Sequence, residues 1–292
     1  MRRILARGSM LTRFLANPMT VAALIFLGAV IAMALLAPVL APFDPDKTNL
    51  TALFLPVGTP GHLLGTDELG RDQLSRVIFG ARISLVAVII ALVVAVGLGV
   101  PLGIVAGYFG GRIDAVASRV IDALMSVPAL ILALTIIAVL GRGLVNSMVA
   151  IGIVIAPRFF RLSRAIASEL RKEAFVEALI ALGSPTSRIL VRHVLPNALS
   201  PIMVQVALTS GMALIAEATL SFLGAGVRPP VASWGSMIGF AYNQIYVAPY
   251  LAYAPGFCIA LTVLAFMIVG EDLRKVLVAR HRGPAENSGG GA

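Results

Sequence analysis

Long apolar runs, nearly free of charge, decide what this chain can fold into. Residues 19–41 form one such run of 23 residues, and others occupy 83–106, 120–140, 144–160, 201–223 and 250–269. About 20 apolar residues in a helix match the ~30 Å hydrocarbon core of a bilayer. Inside lipid each backbone N–H and C=O needs an internal partner, which a helix supplies by itself. The pattern predicts an all-α integral membrane protein, a bundle of six transmembrane helices with both termini on one side. Only 13% of the 292 residues are charged and 59% are hydrophobic, where a soluble domain would carry about a quarter charged residues. The net charge of +9 is therefore read as topology rather than as a sign of nucleic acid, and membrane lipid is the expected surrounding.

The first run follows Arg2, Arg3, Arg7 and Arg13 and ends at Pro38 and Pro42. It lacks the short apolar region and small-residue cleavage site of a signal peptide and is read as a retained span. With the N-terminus inside, 17 of the 23 Lys and Arg fall on inner segments and 6 on outer ones. The positive-inside rule then selects the N-in, C-in orientation. The chain divides into an inner tail (1–17), a first span (18–42), an extracytoplasmic segment (43–82), a five-helix core (83–270) and an inner tail (271–292). The core contains a polar cytoplasmic loop at 161–200. The end of the second tail, NSGGGA, reads as flexible.

Within that loop lies a long charged stretch between two apolar runs, ELRKEAFVEALIALGSPTSRILVRHVLPNALSP over 169–201. Glu173 to Leu182 are good helix formers, Gly183 sits where a left-handed residue ends a helix, and Ser184-Pro185 can start another. Two short helices are expected, a polar hairpin that a partner can grip from outside the bilayer. Glu177 is expected to face that partner or to brace the loop through a base such as Arg188.

The spacing Glu177-Ala178-Leu179, then Gly183, then Leu195-Pro196 resembles the EAA loop of ABC-importer permeases. Leu179 replaces the second alanine of the general pattern, and His193 replaces the isoleucine before Leu-Pro. The wording RHVLPNAL resembles the dipeptide/oligopeptide/nickel branch, C-type subunit, and so do HLLGTDELGRDQLSRVIFGARISL, GYFGGRIDAVASRVIDALMSVP and PGFCIALTVLAFMIVGEDLR. The resemblance implies a type I ABC importer fold. It implies a homologous second permease, two cytoplasmic ATPase subunits and an extracytoplasmic substrate-binding protein as partners, in a bacterial inner membrane. It further implies that Glu173, Glu177, Ala178, Gly183, Arg188, His193, Leu195 and Pro196 form the ATPase-coupling loop. ATP and Mg would sit on the partner subunits.

Other residues stay open between two readings. Glu217, the most deeply embedded carboxylate, suits a structural or gating role or direct cargo contact. Arg228, Pro229 and Trp234 lie on an outer loop. Trp234 suits an interfacial anchor, and the resemblance adds contact with a binding protein. Asp67, Glu68 and Asp72 could suggest a metal, but read better as caps and partners of Arg71 and Arg76. Thr66 or Asp67 could cap a short helix through Arg82 lying on the membrane surface. Gly97, Gly99, Gly103 and Gly107 permit close helix packing, and Pro101 permits a bend. Asp122 is expected at the interface or bonded to a neighbouring helix. The single cysteine, Cys258, reads as a small apolar residue.

No GxxxxGK[ST], HExxH or GxSxG occurs, so the chain lacks its own means to hydrolyse ATP. The reading is a permease subunit of an ATP-driven importer, with peptide as first cargo and nickel, glutathione or another small solute as alternatives. A stand-alone secondary transporter is the rival class, weakened by the lack of a clear internal repeat.

Overall fold

The computed structural model describes residues 14–281; the basic stretch before residue 14 and the Gly-rich end lie outside them. The described chain is all helix and connection. Helix α1 (Pro18–Leu35) opens with Asn17, whose side chain accepts from the Met19 N–H at 3.1 Å. A one-turn helix α2 (Ala37–Leu40) follows. Helix α3 (Gln73–Phe109) has 37 residues, roughly 55 Å at 1.5 Å per residue, so it extends well past a ~30 Å apolar core. Next come α4 (Gly111–Ser126), α5 (Ala129–Leu140), α6 (Leu144–Leu170) and the short α7 (Ala174–Ala181). The chain continues as α8 (Thr186–Ile189), a π-helical turn (Leu190–Val194), α9 (Leu195–Phe222), α10 (Trp234–Asn243), a 3-10 turn (Pro249–Ala252) and α11 (Tyr253–His281).

Among the described residues five helices are long and apolar enough to cross a membrane, and α4 with α5 form a pair bent by 97°. The bend falls inside the span expected over 120–140. Val127 is extended (φ −89, ψ 132) because the ring of Pro128 crowds an α-conformation in the residue before it. The expected surface helix before Arg82 is corrected. Asp72 caps α3, accepting from the Ser75 N–H at 2.8 Å, and the helix runs unbroken into the apolar stretch with Val77 and Ile78 buried. The fourth apolar run continues as helix ten residues beyond 160, to Leu170.

Helices α3 and α6 form the centre of the bundle, and small residues set their separation. A Cβ on Gly99 would lie 2.5 Å from the carbonyl oxygen of Ala156, on Gly103 2.4 Å from that of Phe160, and on Gly107 2.1 Å from that of Arg164. The i, i+4 spacing therefore places three glycines against one neighbouring backbone. Gly97 is not part of this seam, since its Cβ would meet nothing within 4 Å. On this pair lie α1 and α9, and α11 packs against those two. The Asp272 carboxylate of α11 accepts from Thr20 and Asn17, closing the first helix against the last.

Candidate functional site

The polar hairpin follows α6 directly. Arg171, its first residue, donates from Nη1 to the carbonyls of Tyr108 and Phe109, the latter at 3.0 Å. Its guanidinium also lies 5.3 Å from the Tyr108 ring centre. A cation here meets the free carbonyls and negative dipole end of α3. Helix α7 has only eight residues and would be marginal alone. It is held by Val176, fully buried, and by Leu179, half-buried, against a core that includes Ile189 and Val194. Leu179, the departure from the general motif, is thus an anchoring side chain.

Helix α7 ends in a Schellman turn. Ser184 N–H donates to the Leu179 carbonyl at 3.0 Å and Gly183 N–H to that of Ile180 at 2.9 Å, with Gly183 at φ +74. The left-handed conformation is what that pair of bonds requires, and glycine adopts it without steric cost. Pro185 is the N-cap of α8, one place earlier than a proline inside the first turn.

The second arm corrects the expectation of two short helices. From Thr186 to Phe222 the chain is one continuous helical element of 37 residues, widened once at Leu190–Val194. There the Leu195 N–H reaches back to the Leu190 carbonyl. The wide turn lies directly before Pro196, whose ring in a regular α-helix would collide with the carbonyl four residues earlier. His193 lies in that turn, its ring 6.4 Å from Phe175 of α7. Glu173, Glu177, Ala178, Arg188 and Pro196 are all exposed, and Leu195 is half-buried. Among the described residues no ion pair joins Glu177 to Arg188. Phe175, Ile180 and Leu182, at 42%, 49% and 82% exposure, leave an apolar face on and beside α7 uncovered.

Glu217 occupies a different place. It is fully buried, accepts from Ser221 Oγ at 2.7 Å, and lies 3.4 Å from Ser84 Oγ of α3. Ser84 Oγ in turn accepts from the Trp234 N–H at 3.2 Å. Trp234 is buried to 0% exposure, with Nε1 donating to the Val77 carbonyl at 3.0 Å. This corrects the interfacial-anchor expectation: the indole N–H is satisfied inside the protein and the ring lies over Gly80, where a Cβ would come within 3.0 Å of it. Glu217 and Trp234 thus fasten α3, α9 and α10 together. Arg228 and Pro229 remain exposed.

Arg76 joins the loop before α10 to the segment before α3. Only 2% exposed, it donates to the Pro45 carbonyl at 3.0 Å and to that of Pro230 at 3.4 Å, and lies 3.6 Å from Asp67. Asp67 also pairs with Arg71 at 2.7 Å, and Asp72 accepts from Ser75 while contacting His62 Nδ1 at 2.9 Å. These acids act as caps and ion-pair partners. Among the described residues no group of three or more His, Cys, Asp or Glu could hold a metal. Asp122 pairs with Arg161 at 2.8 Å.

The helix count, the bent pair and the α3–α6 core define an all-α, multi-span membrane permease fold. The inward-facing methionine ABC transporter MetNI shares it: the alignment covers 70% of this chain and 97% of that one, with a TM-score of 0.56 at 18% identity. Residues 99–283 match the binding-protein-dependent transport system inner membrane component family, and residues 8–56 match the N-terminal TM domain of oligopeptide transport permease C. The chain belongs to this family of inner-membrane transport components. It is 38% identical to the dipeptide transport system permease protein DppC of Haemophilus influenzae, over 87% of this chain and 88% of that protein. It is also 38% identical to the glutathione transport system permease protein GsiD of Pectobacterium atrosepticum, over 91% and 88%.

Proposed function

We propose that this chain is one of two homologous permease subunits of an ATP-driven peptide importer. The relatives named above are described as carrying dipeptides or glutathione, and both cargoes are peptides. The bent pair α4–α5 counts as the third of six spans, and both termini face the cytoplasm, as the excess of Lys and Arg on inner segments favours even with Arg158 set aside. Two cytoplasmic ATPases, carrying ATP and Mg, bind the hairpin from below. This chain binds no cofactor of its own and hydrolyses nothing. Segment 43–72 and the loop bearing Arg228 and Pro229 meet an extracytoplasmic binding protein, braced from behind by Arg76 and Trp234.

The observation that carries the reading is the hairpin. Its short helix α7 bears an uncovered apolar face with Glu177 and Ala178 exposed beside it, a surface suited to a protein partner. From Thr186 the chain is then continuous helix to Phe222. A displacement of α7 by closing ATPases is therefore passed along a single lever into the span that carries Glu217. Glu217 holds α9 to α3 in one state, a structural and gating role rather than cargo contact. The ATPase dimer drives the change only through differential affinity for the two permease states.

The test is uptake of radiolabelled trialanine into proteoliposomes containing the complete transporter. Accumulation that requires both ATP and the binding protein is expected. Accumulation driven by an ion gradient without ATP would instead establish a secondary transporter.

A further inference from the structure

One basic side chain of the long helix α6 has no acid to face. Arg161 and Arg164 are paired, with Asp122 at 2.8 Å and Asp114 at 2.6 Å. Arg158, on the same helix, has no carboxylate partner among the described residues. Its Nη1 donates to Met212 Sδ at 2.9 Å, and a thioether is a weak acceptor. Met212 stands midway between Pro201 and Leu223, so the guanidinium lies at the level of the centre of the fifth apolar run. An arginine at that depth is expensive against lipid and marks a water-filled path or a counter-charge.

The space beside it is a cavity of about 640 Å³, bounded by the bent pair α4–α5, by α6 and by α9. That volume lies in the range of small-molecule sites, about 300–1,000 Å³. Its walls are apolar, with Pro128, Ala133, Ile155, Met212 and Ala216 among them, and Arg158 is the one charged residue lining it.

We propose that this cavity is a cargo subsite within the membrane and that Arg158 receives the carboxylate of a peptide passing through it. The proposal rests on the peptide-importer reading. A guanidinium offers a carboxylate two parallel hydrogen bonds, and a terminal carboxylate is common to peptides of any sequence. The apolar walls add no second charge, so side chains of many kinds are tolerated while the shared group is held. Met212 and Ala216 belong to α9, the lever that begins at the hairpin, so movement of that helix reshapes the cavity around Arg158 and releases what it holds. A carboxylate on the second permease is the rival source of the anion.

The experiment uses the complete transporter in proteoliposomes, with a benzophenone-bearing residue in place of Met125 on the cavity wall and radiolabelled trialanine as the probe. Illumination during ATP turnover is expected to transfer label to this chain. Arg158→Gln should reduce that transfer by about tenfold, the effect of ~1.4 kcal/mol, whereas Arg158→Lys should retain most of it. Crosslinking to the second permease with no labelled peptide would overturn the proposal, as would equal labelling in Arg158→Gln. Failure of Arg158→Gln to assemble with the second permease would mark the arginine as an intersubunit partner and also overturn it. Trialanine uptake by the unsubstituted transporter separates the two readings. Uptake without crosslinking removes only the cavity assignment, and absence of uptake removes the peptide reading together with it.

Discussion

Arg171 Nη1 donates to the carbonyl of Phe109 at 3.0 Å, joining the first residue of the hairpin to the last residue of α3. The hairpin is thereby fixed at its root while α7 projects beyond it. In the proposed mechanism this contact is the fulcrum. Arg171→Gln keeps one possible donor but loses the charge that suits a helix C-terminus. Uptake per ATP hydrolysed should fall about two- to fivefold, the scale of a contact worth under ~1 kcal/mol, with insertion unchanged. Unaltered coupling in reconstituted vesicles would remove the fulcrum.

The α3–α6 seam leaves no room for a side chain. Gly103→Val places a Cβ 2.4 Å from the Phe160 carbonyl and 2.2 Å from Ser163 Oγ, and overpacking of that kind costs roughly 1–3 kcal/mol or more. Folded yield and thermal midpoint in detergent should both drop. Gly97→Ala, where a Cβ meets nothing within 4 Å, should leave both nearly unchanged.

Glu217→Ala leaves the hydroxyls of Ser221 and Ser84 in a buried site without their carboxylate, a loss of about 1–3 kcal/mol. Lower assembly yield is expected, and among assembled complexes an equal loss of transport for every cargo tested. Glu217→Gln, which preserves the acceptor, should be milder. A change in cargo preference without loss of assembly would return Glu217 to the cargo pathway.

Much of this was legible in the sequence because it is local. The apolar runs, the cap-forming Asp72 and the left-handed Gly183 each follow from a few neighbouring residues. What escaped depends on distant contacts. Pro128 lies inside the run 120–140, and its effect as a break is seen only in the 97° turn between α4 and α5. Trp234 reads as an interfacial anchor until Gly80 of α3 makes room for its ring. Arg158, near the end of a short apolar run, looked like one more inner-side basic residue. Its place became evident only from Met212, 54 positions away in the chain.

Topology is checked by accessibility in intact cells, in a background where Cys258 is replaced by serine. Cysteines at Lys47 and Arg228, both exposed, should react with a membrane-impermeant maleimide. Those at Lys172 and Arg188, also exposed, should react only after the membrane is opened. Labelling of position 188 from outside would reverse the orientation and put the hairpin out of reach of any cytoplasmic ATPase.

The central claim, that the hairpin couples ATPase to permease, is tested most directly at Gly183. Its φ of +74 disfavours any side chain, yet nothing lies within 4 Å of where a Cβ would stand, so a substitution strains the turn without a clash. A branched residue there costs roughly 1–2 kcal/mol, whereas asparagine tolerates the conformation. The measurement is the amount of ATPase retained on the purified permease pair, read together with ATP-driven uptake. Gly183→Val should insert normally and lose most of both, and Gly183→Asn should keep most of both. Full retention and uptake in Gly183→Val would contradict the coupling role of the hairpin.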